Sequence, residues 1–262
     1  MIVIGDHTPS EQISQLIGSE SARAIIMQKE KSSFTYWYPN LDALRFELQL
    51  REEITSAARR LNSSGAKFAK FNNSRCNEAY WNRESNGGFR LKQGVEPSKA
   101  IQDIYENGPL YAFECGTAIV IVWYKAVIES ISPDAFDVYF TNLFLWDGEH
   151  DPNLVLKKLE QHEDACPGDV QYFENPDVDP DKPEWQGENV VLLQTNLYYG
   201  HGIGIATSER IIAALNKRRK PNSSISAYLT KYVLHPDFEF LRQFQAKPVT
   251  ARIGGQMLQV WA

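Results

Sequence analysis

The amino-acid sequence predicts an α+β fold, and three observations carry that prediction. Helix-period apolar patterns crowd the first half of the chain, most clearly over 40–65 and 97–131. After Ser132 the apolar residues fall mainly into short runs punctuated by Gly, Pro and Asn, the pattern of strands and loops. No repeat, low-complexity segment or linker divides the 262 residues, so 1–262 is read as a single domain.

Met1–Ile4 reads as a short strand. Ser10 and Ser19 stand as caps for two short helices, the second running through Ala22, Ile25 and Met27, and 32–39 (SSFTYWYP) is an extended aromatic stretch. Asn40 caps a long helix with Leu41, Leu44, Leu48, Ile54, Ala57, Ala58 and Leu61 on one side and charges on the other. Gly65 ends that helix. Lys67–Phe71 and the region of Tyr80 alternate as strands, and Asn86-Gly87-Gly88 turns the chain into Phe89 and Leu91 as a hairpin. Ser98 caps a helix through Ala100, Ile101 and Ile104 that closes at Asn107 and Gly108.

The stretch Pro109–Ile131 (PLYAFECGTAIVIVWYKAVIESI) follows at once. Ala118–Tyr124 has no polar face, and a helix apolar all round belongs in the middle of a core. Pro109 cannot stand in a helix interior, which moves the helix start to Cys115. Unpaired N–H groups and the dipole at that terminus favour a thiolate. Ser132 and Pro133 stop this helix and begin a short one. Asn142–Trp146 is an apolar strand, 149–165 is polar, and Pro167-Gly168-Asp169 turns into the strand Val170–Phe173. Pro176, Pro180 and Pro183 make 175–185 an irregular loop. Val190–Leu193 and Tyr198–Ala206 are strands, Ser208–Asn216 a helix, Tyr228–Leu234 a strand or helix, and Gly254-Gly255 a hairpin turn.

Composition narrows the function. A hydrophobic fraction of 43% and a charged fraction of 23% are ordinary for a folded soluble protein. The net charge of -6 argues against broad nucleic-acid binding. The one basic run, KRRK at 217–220, is read as a solvated helix end. Cys76, Cys115 and Cys166 are too few and too scattered for a disulfide framework or a zinc site, and the five histidines add no paired ligand spacing. The opening MIVIGDHTPSEQ does not read as a signal peptide, and no segment approaches the ~20 apolar residues of a membrane span. The expectation is an intracellular protein with reduced thiols.

A cysteine nucleophile needs a proton acceptor, and the acceptor needs an orienting partner. Two later stretches supply candidates. Glu188 lies in WQGEN (185–189), between the proline-rich loop and an apolar strand. His201 lies in Gly200-His201-Gly202, inside an apolar strand whose glycines allow close backbone approach. Cys115, Glu188 and His201 form a chemically sensible set. Taken singly, each also has an ordinary reading: a small buried hydrophobe, an ion-paired carboxylate and a satisfied core histidine.

Five stretches then resemble one family, in its order: SGAKFA (64–69), PSKAI (97–101), ENGPLYAFECGTAIVI (106–121), WQGENVVLL (185–193) and HGIGI (201–205). They resemble the calcium-independent protein-glutamine γ-glutamyltransferases of spore-forming bacteria. Residues 147–165 and the tail beyond Phe244 are less similar. A more distant resemblance, in ECGT (114–117), PGDVQYF (167–173) and HGIGI, is to NlpC-type cell-wall cysteine peptidases. Together these imply a papain-like, NlpC-like core in which a central buried helix bearing the cysteine packs on an antiparallel β-sheet.

The resemblance also implies the reaction. The Cys115 sulfur attacks a protein glutamine γ-carboxamide, ammonia leaves, and a lysine amine resolves the thioester into an ε-(γ-glutamyl)lysine crosslink. Glu188 matches the catalytic base, Glu114 a partly substitutable second carboxylate, and His201 an orienting or polarising residue. Phe68 and Trp185 resemble residues lining the passage of the amine. The backbone N–H of Cys115 or Gly116 is a candidate oxyanion donor. Two carboxylates oppose ionisation of the thiol while the helix terminus favours it, so a neutral thiol hydrogen-bonded to a carboxylate is the expected resting pair. No cofactor or metal is implied, and the acidic run 177–184 lacks a calcium-loop pattern. The implied partners are spore-coat proteins supplying glutamine and lysine side chains, with no nucleic acid and no membrane. The implied location is the mother-cell cytoplasm and then the spore coat. A cell-wall peptidase or amidase of the NlpC type is the alternative, and a non-enzymatic coat-binding protein a third reading.

Overall fold

The computed structural model describes residues 1–5, 13, 18–160, 165–245, 248–253 and 256–261. The chain opens with β1 (Ile2–Ile4) and then α1 (Glu20–Lys31), whose Ala22 N–H donates to the Ser19 hydroxyl at 2.9 Å. Ser10, the other expected cap, lies outside the described residues. β2 (Tyr36–Tyr38) pairs in parallel with β1. α2 (Leu41–Ser63) begins at Asn40, whose side chain accepts the Ala43 N–H at 2.9 Å. It ends just before Gly65, where φ is +93°.

The charged side of α2 is not all solvated, contrary to the sequence pattern. Glu47 and Arg51, one turn apart, are both buried. Glu47 accepts from Lys29 of α1 at 2.8 Å and from Arg51 at 2.7 Å, and Arg51 continues to Asp169 at 2.6 Å. The Tyr38 hydroxyl donates to the second Glu47 oxygen at 2.7 Å. α1 and the residues leading into the main sheet close over this face, so alternating charges take the place of water. Burial alone would lift the Glu47 carboxyl, but Lys29 and Arg51 hold it well below the ordinary carboxylate range.

β3 (Lys67–Phe68) is shorter than expected, because the chain bends into a single 3₁₀ turn at Phe71–Asn73. β4 (Trp81–Arg83) and β5 (Phe89–Leu91) form the expected hairpin. α3 (Pro97–Glu106) starts with Pro97 at its first position, so Ser98 is inside the helix and is not its cap. Ser98 instead donates its N–H and hydroxyl to Asp137 at 2.6 and 2.7 Å. β6 (Ala112–Phe113) lies parallel to β3.

α4 (Cys115–Ile131) occupies the centre of the core, as its composition requires, with every residue from Thr117 to Ile128 buried. Lys125 is buried with the rest, its ammonium paired to Glu129 and Gln102. Ser132, at φ +106°, turns the chain into α5 (Pro133–Tyr139). β7 (Phe144–Leu145) is all that forms of the strand expected over 142–146, and it pairs with β5.

The main sheet comes from the second half of the chain. Its strands are β8 (Leu156–Leu159), β9 (Val170–Glu174), β10 (Gly187–Gln194), β11 (Leu197–Gly200) and β12 (Gly204–Ala206). After α6 (Ser208–Asn216) the chain adds β13 (Tyr228–Leu229) and β14 (Val233–Pro236), then α7 (Phe238–Arg242). The order is β12-β11-β10-β9-β14-β8, with β13 also on β9, and every pairing is antiparallel. α4 packs between α2 and β10, so the cysteine helix lies on an antiparallel sheet as expected.

Tyr198–Ala206 is two strands and not one. The Ile203 N–H closes on the Gly200 carbonyl at 3.1 Å, and Gly204 takes φ +89°, which reverses the chain at His201–Ile203. β15 (Pro248–Ile253) and β16 (Gln256–Trp261) pair antiparallel; Gly254 and Gly255 lie outside the described residues. Cys76, Cys115 and Cys166 form no disulfide among the described residues. Among the described residues no helix is long and apolar enough to cross a membrane.

Candidate active site

Cys115 is the first residue of α4, and the residue before it caps the helix. Both Glu114 carboxylate oxygens accept backbone N–H groups, one from Gly116 and the other from Thr117 at 2.6 Å. This satisfies two helix-terminal donors that would otherwise be unpaired. The Gly116 N–H, one of the two candidate oxyanion donors, is thus taken up by the cap, and Glu114 stands beside Cys115 as the capping carboxylate. Gly116 sits close under the loop at Asp147–Gly148, where an added Cβ would lie 3.2 Å from the Gly148 nitrogen.

β10 brings two consecutive residues to the thiol. Asn189 donates its side-chain amide to Cys115 Sγ at 3.4 Å, and its backbone N–H also supports the sulfur. Glu188 is buried, and its Oε1 accepts the Gly202 N–H at 3.0 Å. The glycines of the β11–β12 turn explain this fit. A Cβ on Gly200 would stand 2.8 Å from Glu188 Cγ, and one on Gly202 would stand 2.9 Å from Glu188 Oε2. The close backbone approach expected of Gly200 and Gly202 is therefore an approach to the Glu188 side chain.

These surroundings keep the thiol protonated and bring the carboxyl's titration up toward neutrality. Burial, then the charges of Glu188 and Glu114, push the Cys115 thiol up to about 12 against the two Asn189 donors. The helix terminus does not produce a thiolate, because Glu114 has brought an anion to it. Burial lifts the Glu188 carboxyl to about 7, with Glu114 adding and the Gly202 N–H and Arg218 opposing. A carboxyl that exchanges its proton near neutrality beside a protonated thiol is a competent acid and base.

His201 is near this pair, but both ring nitrogens are committed elsewhere. Nδ1 accepts from the Tyr199 hydroxyl at 2.9 Å, and Nε2 donates to the Lys67 carbonyl at 3.1 Å. The ring stacks on Phe113, centroid to centroid 4.6 Å. Burial lowers its pKa to about 4, so the imidazole is neutral. Among the described residues, neither ring nitrogen of His201 bonds Glu188. The ring ties β3 to the turn that carries Gly202, whose N–H donates to Glu188.

Phe68 and Trp185 come together beside the same turn, their centroids 5.7 Å apart. A Cβ on Gly202 would touch the Phe68 ring at 3.5 Å, so this aromatic pair borders the carboxylate. Trp185 stands on a 3₁₀ turn, Pro183–Trp185, at the end of the proline-rich loop. Three acidic residues of that loop are engaged in ion pairs: Asp177 with Lys220, Asp179 with Lys182, and Glu184 with Lys70. Among the described residues no cluster of three or more His, Cys, Asp and Glu is arranged to hold a metal ion.

Three neighbours escaped the sequence reading. Asn189 follows Glu188 directly on β10, and an asparagine in a strand carries no chemical signature that would single it out. Tyr172, opposite Asn189 on β9, lies near enough to Cys115 and Glu188 that, after burial, their charges help raise its hydroxyl to about 12. Arg218 belongs to the basic run read as solvated, yet its guanidinium lies over the Trp185 ring, 3.5 Å from the centroid.

Comparison with known proteins places this geometry in context. The family described as protein-glutamine gamma-glutamyltransferase matches residues 1–245. The chain is similar to a protein of that name from Bacillus pumilus, with 42% identity covering 93% of this chain and 98% of the relative. It is similar to another from Halalkalibacterium halodurans, with 44% identity covering 80% of this chain and 74% of the relative. In three dimensions it resembles a transglutaminase from Geobacillus stearothermophilus without its C-terminal extension. That match has a TM-score of 0.76 and 49% identity, and covers 79% of this chain and 99% of the other.

Proposed function

Because the chain belongs to the protein-glutamine gamma-glutamyltransferase family, we propose that Cys115 and Glu188 form its nucleophile–base pair, with Asn189 as the side-chain oxyanion donor. The enzyme is an acyltransferase with the papain-like α+β arrangement of its structural relative, and it joins glutamine side chains to amines. The observation that carries the site assignment is the buried Glu188 carboxyl, poised near pH 7 beside a thiol that burial and two carboxylates keep protonated.

The proton then moves within that pair. As Sγ bonds to the γ-carboxamide carbon, the thiol proton passes to Glu188 and negative charge grows on the carbonyl oxygen. The Asn189 amide and the Cys115 N–H are the donors beside that oxygen. Collapse breaks the C–N bond, and Glu188 returns the proton to the leaving nitrogen as ammonia. A neutral lysine amine next attacks the thioester, gives a proton to Glu188, and expels the sulfur, which is reprotonated. Phe68 and Trp185 line the approach and shed water from the amine. Glu114 fixes the start of α4, and His201 fixes the turn that hydrogen-bonds Glu188.

The substrates are spore-coat proteins presenting glutamine and lysine side chains, reached in the mother-cell cytoplasm and retained in the coat, within one catalytic domain over 1–262. The relatives from Bacillus species support that setting. Incubation with a glutamine-containing protein and a labelled primary amine, with and without EDTA, tests the reaction. The expected result is metal-independent incorporation that disappears in Cys115→Ala. Peptide-bond cleavage without incorporation would assign the site to a peptidase instead.

A further inference from the structure

We infer that Arg218 is a positioning residue for the amine passage: its guanidinium clamps the Trp185 indole as a wall and so favours capture of the thioester by an amine over water. The inference rests on the reading of Cys115 and Glu188 given above.

Arg218 lies just beyond the end of α6, and the structure fixes it on several sides. Its Nη1 donates to the Ala214 carbonyl at 2.7 Å, its backbone N–H to the Leu215 carbonyl at 2.9 Å, and its own carbonyl accepts the Asp179 N–H at 2.9 Å. An isolated bridge between Val178 and Arg219 ties the same segment to the proline-rich loop that ends in Trp185. The guanidinium therefore meets the indole, at 3.5 Å from its centroid, from a rigid base. Lys70, Lys182 and Lys220 around it are each paired with a carboxylate of that loop. Among the described residues no carboxylate forms an ion pair with Arg218, so its charge is left to the indole and, at longer range, to Glu188.

Phe68 presses on the same indole at 5.7 Å and touches the Gly202 turn that holds Glu188. A cation on an indole face contributes most when both are desolvated, and Trp185 and Arg218 are both half-buried. Releasing the clamp frees the ring to swing, and water then reaches the thioester beside the amine. A planar guanidinium stacks where an ammonium cannot, so lysine is only a partial substitute.

The test measures, in one reaction, labelled-amine incorporation and hydrolytic deamidation of the same glutamine substrate, and takes their ratio. Arg218→Met should lower the ratio roughly two- to thirtyfold, the span of a cation–π contact. Arg218→Lys should recover part of it. In a Trp185→Phe background, Arg218→Met should add less than it does alone, because the clamp then has no indole to hold. An unchanged ratio in Arg218→Met, equal losses in the Met and Lys variants, or full additivity with Trp185→Phe would each overturn the role of Arg218. Absence of Cys115-dependent incorporation in the unmodified enzyme would overturn the site assignment itself and this inference with it.

Discussion

Replacing Glu188 by Gln separates two effects of one carboxylate on Cys115. As an anion, Glu188 opposes ionisation of the thiol; in the proposed mechanism it is also the base that removes the thiol's proton during attack. With the thiol pushed up to about 12, only about one molecule in 10⁴ carries a thiolate at pH 8. A mechanism that waited for free thiolate would lose that factor, so the base must supply it. In Glu188→Gln the like charge is gone while burial, Glu114 and the Asn189 donors remain, and the thiol must ionise at lower pH than before. Alkylation by iodoacetamide, followed against pH, should therefore move its rising limb downward. Amine incorporation should fall by roughly 10²–10⁴-fold at the same time. A more reactive thiol in a less active enzyme is the signature. An alkylation limb that moves upward, or incorporation within about threefold of wild type, would refute the reasoning.

Glu114→Ala leaves the Gly116 and Thr117 N–H groups uncapped, and should cost about 1–2 kcal/mol in denaturant unfolding. Its loss of incorporation should be far smaller than that of Glu188→Gln; equal losses would overturn the assignment of the base. Gly202→Ala places a methyl 2.9 Å from Glu188 Oε2 and should cut incorporation by about tenfold or more with an unchanged circular dichroism spectrum. Glu188 also shapes stability against pH. Its folded pKa of about 7 is raised above its ordinary value, so its stabilising contribution is complete below the ordinary carboxylate pKa and is lost as pH rises through 7. Urea midpoints of Glu188→Gln should accordingly fall less than those of wild type between pH 5 and 8, two values chosen to bracket that loss. Glu47→Gln takes the anion from between Lys29 and Arg51 and should cost about 3–5 kcal/mol in urea unfolding, whereas a change below about 1 kcal/mol would contradict a coupled buried network.

What the sequence made legible was local in character. The helix starting at Cys115 is encoded by an unbroken apolar run and a proline that cannot enter it, so its start and its central burial could both be read directly. The caps Ser19 and Asn40 are equally local. Glu188 and His201 were chemically plausible but joined to Cys115 chiefly by resemblance, because only the order of the sheet brings β10 and the β11–β12 turn to the end of α4. Strand periodicity misjudged HGIGI, since nothing in the hydrophobic pattern announces the left-handed Gly204 that splits it. The covering of Glu47 and Arg51, on the charged side of α2, is non-local in the same way. Helical spacing assigns one apolar side, and it cannot see that α1 and Asp169 will cover the other with matching charges. Arg218 looked like bulk charge within KRRK; its contact is with a ring more than thirty positions earlier.

A thiol that rests protonated also ages differently from the thiolates of many cysteine enzymes. Oxidation by peroxide begins at the thiolate and climbs from sulfenic to irreversible sulfinic and sulfonic acids. At Cys115 burial and the two carboxylates that delay ionisation also protect the sulfur from that first step. Disulfide exchange is slowed by the same scarcity of thiolate. The half-buried Cys115 thiol is thereby slow to enter either reaction.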